Sequence, residues 1–287
     1  MITNNPMQLK AHIKKMAADK NLSAQLVMQN YMMERLLERV SLSKYKENFI
    51  LKGGFLIAAI VGLDTRATMD LDTTIKGFEL THDAIRSIFE DICKIEVEDD
   101  VTFSVNRTTD IRETDDYPGI RVSLTASYSP LKVPMTVDVT TGDKITPREI
   151  EYTFRLLFDE RSISIMAYNL ETILAEKLET VLSRNIANTR PRDFYDVYIL
   201  YTLRGSECDP LILKTALEET AKKRGSLPVL GGYESIIADI RNNSGMQSFW
   251  ANYQKEFDYA KDISFEETCD AVFSIINGIL QGGVFNE

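Results

Sequence analysis

Asp70 and Asp72 stand two residues apart in Met69-Asp70-Leu71-Asp72-Thr73-Thr74-Ile75, a stretch whose residues alternate as in a half-buried strand. On a strand both carboxylates project from one face, while Met69, Leu71 and Thr73 take the other. The segment Val133-Pro134-Met135-Thr136-Val137-Asp138-Val139-Thr140 alternates in the same way and puts Thr136, Asp138 and Thr140 on one face. If the two strands pair, Asp138 becomes a third carboxylate beside Asp70 and Asp72. Three such groups repel one another unless a divalent cation offsets them, and the oxygen-seeking cation that accompanies triphosphates is Mg²⁺. One or two such ions align a triphosphate with an attacking hydroxyl and stabilise a leaving pyrophosphate. Taken alone, an Asp-x-Asp pair on a polar strand is more often a solvated face.

Gly53-Gly54 lies between the apolar run Phe49-Ile50-Leu51 and the apolar segment Phe55–Val61, which predicts a strand, a glycine turn and a helix. Glycines at such a junction let backbone N–H groups approach a phosphate, and the helix start adds a favourable dipole. An ordinary tight turn would use the same pair. Lys52, Arg66 and Thr68 flank the junction and have the chemistry to meet phosphate oxygens. Further along, Lys177 interrupts an apolar helical stripe of Leu170, Leu174, Leu178 and Val181, so it either snorkels or enters a cleft. Pro191 suits the first turn of a helix, and Asp193 and Asp196 then share a face near its start, next to Arg192. Those two charges would also favour the helix dipole alone.

Around these residues the periodicity predicts helices over 7–20 and 23–40, and another from Thr81 or His82 to Cys93. Strands are predicted at 101–107, 120–127 and 133–140, with an acidic loop, Asp110 to Asp116, and Tyr117-Pro118-Gly119 between the first two. From 169 onward only helical patterns follow, at 169–184, 191–204, 209–224, 232–241, 245–260 and 265–280. The chain thus reads as an α/β part, 1–165, with N-terminal helices, followed by a helical part, 166–287, that carries Lys177 and Asp193.

The whole chain of 287 residues has 33 Lys and Arg against 43 Asp and Glu, a net charge of −10, which excludes a broad cationic coat for nucleic acid. The charge is regional: residues 1–52 carry nine basic and four acidic side chains, whereas 79–116 carry four and twelve. Arg184, Arg190, Arg192 and Arg204 form a second basic group, so a local site for an anionic partner stays open at either place. Cys93, Cys208 and Cys269 make neither a disulfide framework nor a CxxC zinc site, and with His12 and His82 alone, histidine metal sites are out of reach. No apolar stretch of about 18 residues occurs and no apolar run follows the first basic residues, so a cytoplasmic chain without a membrane partner is expected.

The order of glycine pair, Asp-x-Asp strand and third acidic strand resembles the nucleotidyltransferase superfamily. Leu51-Lys52-Gly53-Gly54 with Arg66-Ala67-Thr68-Met69-Asp70-Leu71-Asp72 is similar, more narrowly, to the AbiEii/AbiGii toxin family. Leu174-Ala175-Glu176-Lys177-Leu178-Glu179-Thr180 and Arg190-Pro191-Arg192-Asp193-Phe194-Tyr195-Asp196 match later motifs of that family. The resemblance implies an α+β fold, with a nucleotidyltransferase-like mixed sheet, flanking helices and a C-terminal helical bundle. It implies NMP transfer from an NTP with Mg²⁺ on Asp70, Asp72 and Asp138, the last alternatively a general base. Gly53, Gly54, Lys177 and Arg66 would cradle the triphosphate, and Asp193 or Asp196 would assist catalysis or order Lys177 and Arg192. The family further implies a toxin with a cognate antitoxin or a role in phage abortive infection, and a tRNA 3′ end as acceptor, met by the basic N-terminal region and the Arg184–Arg204 group. A protein or small-molecule acceptor, or a nucleotide-binding regulator without catalysis, are the other readings. In two respects the chain departs from the family: Phe55 follows the glycine pair where a small hydroxyl residue is usual, and the fourteen residues between Phe55 and Asp70 make a slightly longer interval than usual.

Overall fold

The computed structural model describes residues 6–111 and 119–281. The chain divides into two units, Met1–Asp143 with Glu149–Ala167, and Lys144–Arg148 with Tyr168–Glu287. The acidic loop read at 110–119 lies, from 112 to 118, outside the described residues.

Two helices open the first unit, α1 (Pro6–Asp19) and α2 (Ala24–Leu42), the latter capped by the Ser23 hydroxyl, which accepts from the Leu26 N–H. Then come β1 (Phe49–Lys52), α3 (Gly53–Val61), β2 (Leu71–Ile75), α4 (His82–Cys93), β3 (Thr102–Ile111), β4 (Gly119–Tyr128) and β5 (Leu131–Thr141). Two further strands, β6 (Ile150–Arg155) and β7 (Ser162–Ala167), complete a mixed seven-stranded sheet of order β3-β4-β5-β2-β1-β7-β6. β2 runs antiparallel to β1 and parallel to β5, so the strand expected to bring Asp138 to Asp72 does lie beside it. One face of the sheet is apolar. Leu51, Leu71 and Val137 meet Leu37 and Val40 of α2 and Phe89 of α4 around a small apolar gap, away from the carboxylates.

The sequence reading missed β6 and β7. β6 is an edge strand with mostly exposed side chains, so no buried stripe marks it. β7 does alternate, burying Ile163, Ile165 and Ala167, but over six residues that signal is short.

The second unit is helical: α5 (Leu170–Arg184), α6 (Pro191–Arg204), α7 (Pro210–Lys223), α8 (Tyr233–Asn242), α9 (Ser244–Glu256) and α10 (Phe265–Gln281). Asn169 caps α5 by accepting from the Thr172 N–H, and Pro191 stands in the first turn of α6. Leu174, Leu178 and Val181 of α5 are buried in this unit, as are Val197 and Leu200 of α6 and Val272, Ile275 and Ile276 of α10. No described helix is long and apolar enough to cross a membrane.

Candidate active site

β2 begins at Leu71, so Asp72 lies on the strand and Asp70 one residue ahead of it, exposed. Met69, expected to face inward, is exposed for the same reason: it precedes the strand. Asp72 pairs in register with Lys52 of β1 on one side and with Asp138 of β5 on the other. Asp138 in turn pairs with Arg121 of β4. Register partners share a face, so Lys52, Asp72, Asp138 and Arg121 form a row across four adjacent strands.

The glycine pair is fitted to this row. Gly53 opens α3 at φ +69°, and a Cβ added there would stand 2.1 Å from Asp72 Oδ2. Only a residue without a side chain lets the carboxylate lie against the helix start. A Cβ on Gly54 would come within 3.1 Å of Thr68 Oγ1 and 3.3 Å of Arg66 Nη2, so the structure brings Gly54, Thr68 and Arg66 together as well. Arg66 is buried and its Nη1 donates to the Ala67 carbonyl. The loop carrying it is pinned by the buried Asn30 of α2, which donates to the Thr68 carbonyl at 2.7 Å, and by a 2.7 Å ion pair of Lys20 with Asp64.

Phe55 points elsewhere. It is buried, and its ring stacks on Phe154 at 5.6 Å with an interplanar angle of 5°. The position after the glycine pair is therefore a core position in this chain. The hydroxyl beside Gly54 belongs to Thr68.

Lys52, beside the glycine pair, has two partners on or next to β5. Its ammonium donates to Thr140 Oγ1 at 2.7 Å and pairs with Asp143. Asp143 lies beyond the end of β5, and no sequence pattern marked it. Arg121 was missed too: its Nε and Nη2 each donate at 2.7 Å to the two oxygens of Asp138. These hydrogen bonds, with the fields of Asp138, Asp70 and Asp72, outweigh desolvation and raise the guanidinium pKa further. The one signal for Arg121 in the sequence is its place in the alternation Arg121-Ser123-Thr125, whose register with β5 only the fold supplies.

Asp72 and Asp138 thus offer oxygen donors only, on one face and in paired register, with Asp70 just before the strand. Among the described residues no three His, Cys, Asp or Glu side chains close around a common point. The predicted trio is not a preformed cage, because Asp138 is turned to Arg121. The donor set still fits Mg²⁺, which binds through one or two carboxylates, keeps several waters and takes further oxygens from substrate phosphates.

In the second unit, Lys177 Nζ lies 2.7 Å from Asp193 Oδ1 and 2.9 Å from Asp196 Oδ2. Both aspartates are buried, so they are partners of Lys177 and not solvated charges at a helix start. Burial pushes the Lys177 pKa down, but Asp196 and Asp193 outweigh it and the ammonium is held charged above its usual range. Asp193 Oδ2 is buried and has no hydrogen-bond partner among the described residues. Arg192 is exposed on the first turn of α6.

Thiol chemistry has no support: burial raises Cys93 to about 11 and both Cys208 and Cys269 to about 12. The basic regions are thinner than the sequence suggested. Arg35 and Arg39 of α2 are buried in ion pairs, and Arg204 is paired with Glu207 at 2.7 Å.

Residues 35–271 match the family described as nucleotidyl transferase AbiEii toxin, type IV TA system. The chain belongs to this family. It is a nucleotidyltransferase of the AbiEii toxin type, and its family implies a cognate antitoxin. No curated protein matches it. Among solved structures, one from H. pylori described as a candidate nucleotidyltransferase is 16% identical, with 91% of this chain and 97% of that one covered and a TM-score of 0.49. JHP933 from Helicobacter pylori is 15% identical, with 91% and 94% covered and a TM-score of 0.49. An antigenic nucleotidyltransferase-like protein from Paracoccidioides brasiliensis is 16% identical, with 68% and 91% covered and a TM-score of 0.37.

Proposed function

We propose that this AbiEii-family chain transfers NMP from an NTP to the 3′ end of tRNA in a Mg²⁺-dependent reaction in the cytoplasm, and so arrests growth or limits phage propagation. The observation that carries the proposal is the register pair of Asp72 and Asp138, with Gly53 opened to Asp72. Asp70 and Asp72, with an oxygen of Asp138, would hold Mg²⁺, which when bound neutralises phosphate charge and polarises the α-phosphorus. Gly53 and Gly54 offer backbone N–H groups at the start of α3, and Arg66 and Thr68 beside them offer donors to phosphate oxygens. In the second unit Lys177, kept charged by Asp193 and Asp196, is the cation with which this reading associates phosphate binding, with Arg192 near it in sequence. The acceptor hydroxyl oxygen forms a bond to the α-phosphorus, and the bond from that phosphorus to the β-phosphate bridging oxygen breaks. Pyrophosphate leaves with the electron pair, and the hydroxyl proton goes to Asp138 where that carboxylate is the general base instead of a metal ligand, and otherwise to solvent.

Purified protein incubated with each α-labelled NTP, Mg²⁺ and total tRNA should label RNA in the 3′-terminal nucleotide. Label in protein or a small molecule instead would replace the acceptor and keep the transfer chemistry. In bacteria the parent chain should arrest growth, while Asp70→Ala, Lys177→Ala and Asp193→Ala should relieve the arrest. Equal arrest by all three variants would show that the assigned site is wrong.

A further inference from the structure

The row Lys52, Asp72, Asp138, Arg121 sets two adjacent anions between two cations, and Asp70 and Asp143 add two carboxylates beside it. Lys52 is committed to Asp143. The row's other cation, Arg121, grips both oxygens of Asp138 at 2.7 Å, so the carboxylate that neighbours Asp72 is already occupied. The two ends of this pair differ: the Arg121 side chain is 46% exposed and that of Asp138 19%. A half-exposed guanidinium gives up an ion pair at small cost, since water solvates what it leaves, whereas a strand carboxylate has nowhere else to go.

We propose that Arg121 is a positioning residue that competes with the divalent cation for Asp138 and thereby sets the cation concentration at which the site loads. It rests on the nucleotidyltransferase reading of Asp70 and Asp72. With Arg121 on Asp138, the carboxylates of the row are held in place and partly neutralised in the chain alone, which keeps them from repelling one another. A divalent cation bound beside Asp72 would draw both Asp138 oxygens off the fork and leave the half-exposed guanidinium turned outward without its carboxylate. It then favours an anionic partner arriving with the cation, so cation and triphosphate load together.

The test is Mn²⁺ binding by the full chain without nucleotide, read from the free-ion signal in electron paramagnetic resonance. Arg121→Gln removes the competing charge and should bind Mn²⁺ about tenfold more tightly than the parent. Arg121→Lys, which keeps a charge but loses the fork, should fall between them. In Asp138→Asn the Arg121→Gln gain should vanish. Thermal melts of each variant, followed by circular dichroism, establish that the fold is kept. If Arg121→Gln binds no more tightly than the parent, Arg121 does not compete and the inference is overturned, with the cation reading left standing. If instead Asp70→Asn/Asp72→Asn binds Mn²⁺ as the parent does, the cation reading falls and the inference with it.

Discussion

Gly53 has a reason to be glycine that lies outside its own segment of sequence. The sequence marks it as a place where backbone must come close to something, and a phosphate was the partner considered. The structure adds a second partner, the Asp72 carboxylate, which occupies the space a Cβ would take. Gly53→Ala therefore carries two penalties, a left-handed φ costing on the order of 1 kcal/mol and a displaced carboxylate. Nucleotide transfer by Gly53→Ala should fall about 100-fold or more, near the level of Asp72→Ala. Gly142→Ala is the control: Gly142 has φ +73° but nothing within 4 Å of an added Cβ. Its melting temperature should drop by a few degrees with transfer kept, and similar transfer losses in the two variants would refute the contact with Asp72. Arg121 and Asp143 stayed invisible because a charged residue on a polar strand face or in a loop has no pattern of its own. Their meaning comes from which strands are neighbours.

At the scale of elements, periodicity found the helices to within a few residues, but in α2 it misjudged what the helix buries. Leu26, Met33, Leu36, Leu37 and Val40 are buried as an apolar stripe, yet Glu34, Arg35, Glu38 and Arg39 are buried with them. Arg39 forks Asp99 at 2.8 Å on both nitrogens, and Arg35 pairs with Glu34 and Glu38. Arg39→Met would leave Asp99 buried without its partner and should destabilise the chain by about 3–5 kcal/mol in urea unfolding. Glu34 makes a pH prediction. Burial raises its carboxyl to about 7, against the opposing effect of Arg35 and the Leu157 N–H. The unfolded carboxyl releases its proton near 4.5. Between those values the folded state binds more protons, so the Glu34 contribution to stability falls as pH rises through that window and is flat above it. Relative to the parent, Glu34→Gln should gain about 2 kcal/mol in unfolding free energy between pH 5 and pH 8. A parent-to-variant difference that does not change with pH would show that Glu34 ionises normally.

For the whole molecule, the charge of −10 and the excess of basic residues in 1–52 set limits on any RNA surface. The sequence count treated all nine N-terminal basic residues alike. In the structure Arg35 and Arg39 are interior, while Lys20, Lys44, Lys46 and Lys52 have carboxylate partners. What remains on α1 is an exposed group of Lys10, Lys14 and Lys15. Three phosphate contacts to single-stranded RNA give a salt slope of roughly −2 in log K against log salt. The affinity for tRNA should then drop about 16-fold between 50 and 200 mM salt, far less than for a protein with a cationic coat. Replacing the three lysines by Glu should flatten that slope and weaken tRNA binding, measured by fluorescence anisotropy. Mn²⁺ binding at the carboxylate row should be unaffected, since the lysines are not among its residues. A steep slope that survives the triple replacement would mean that tRNA is held at the Arg184–Arg204 group or elsewhere, and that α1 is only a solvated helix face.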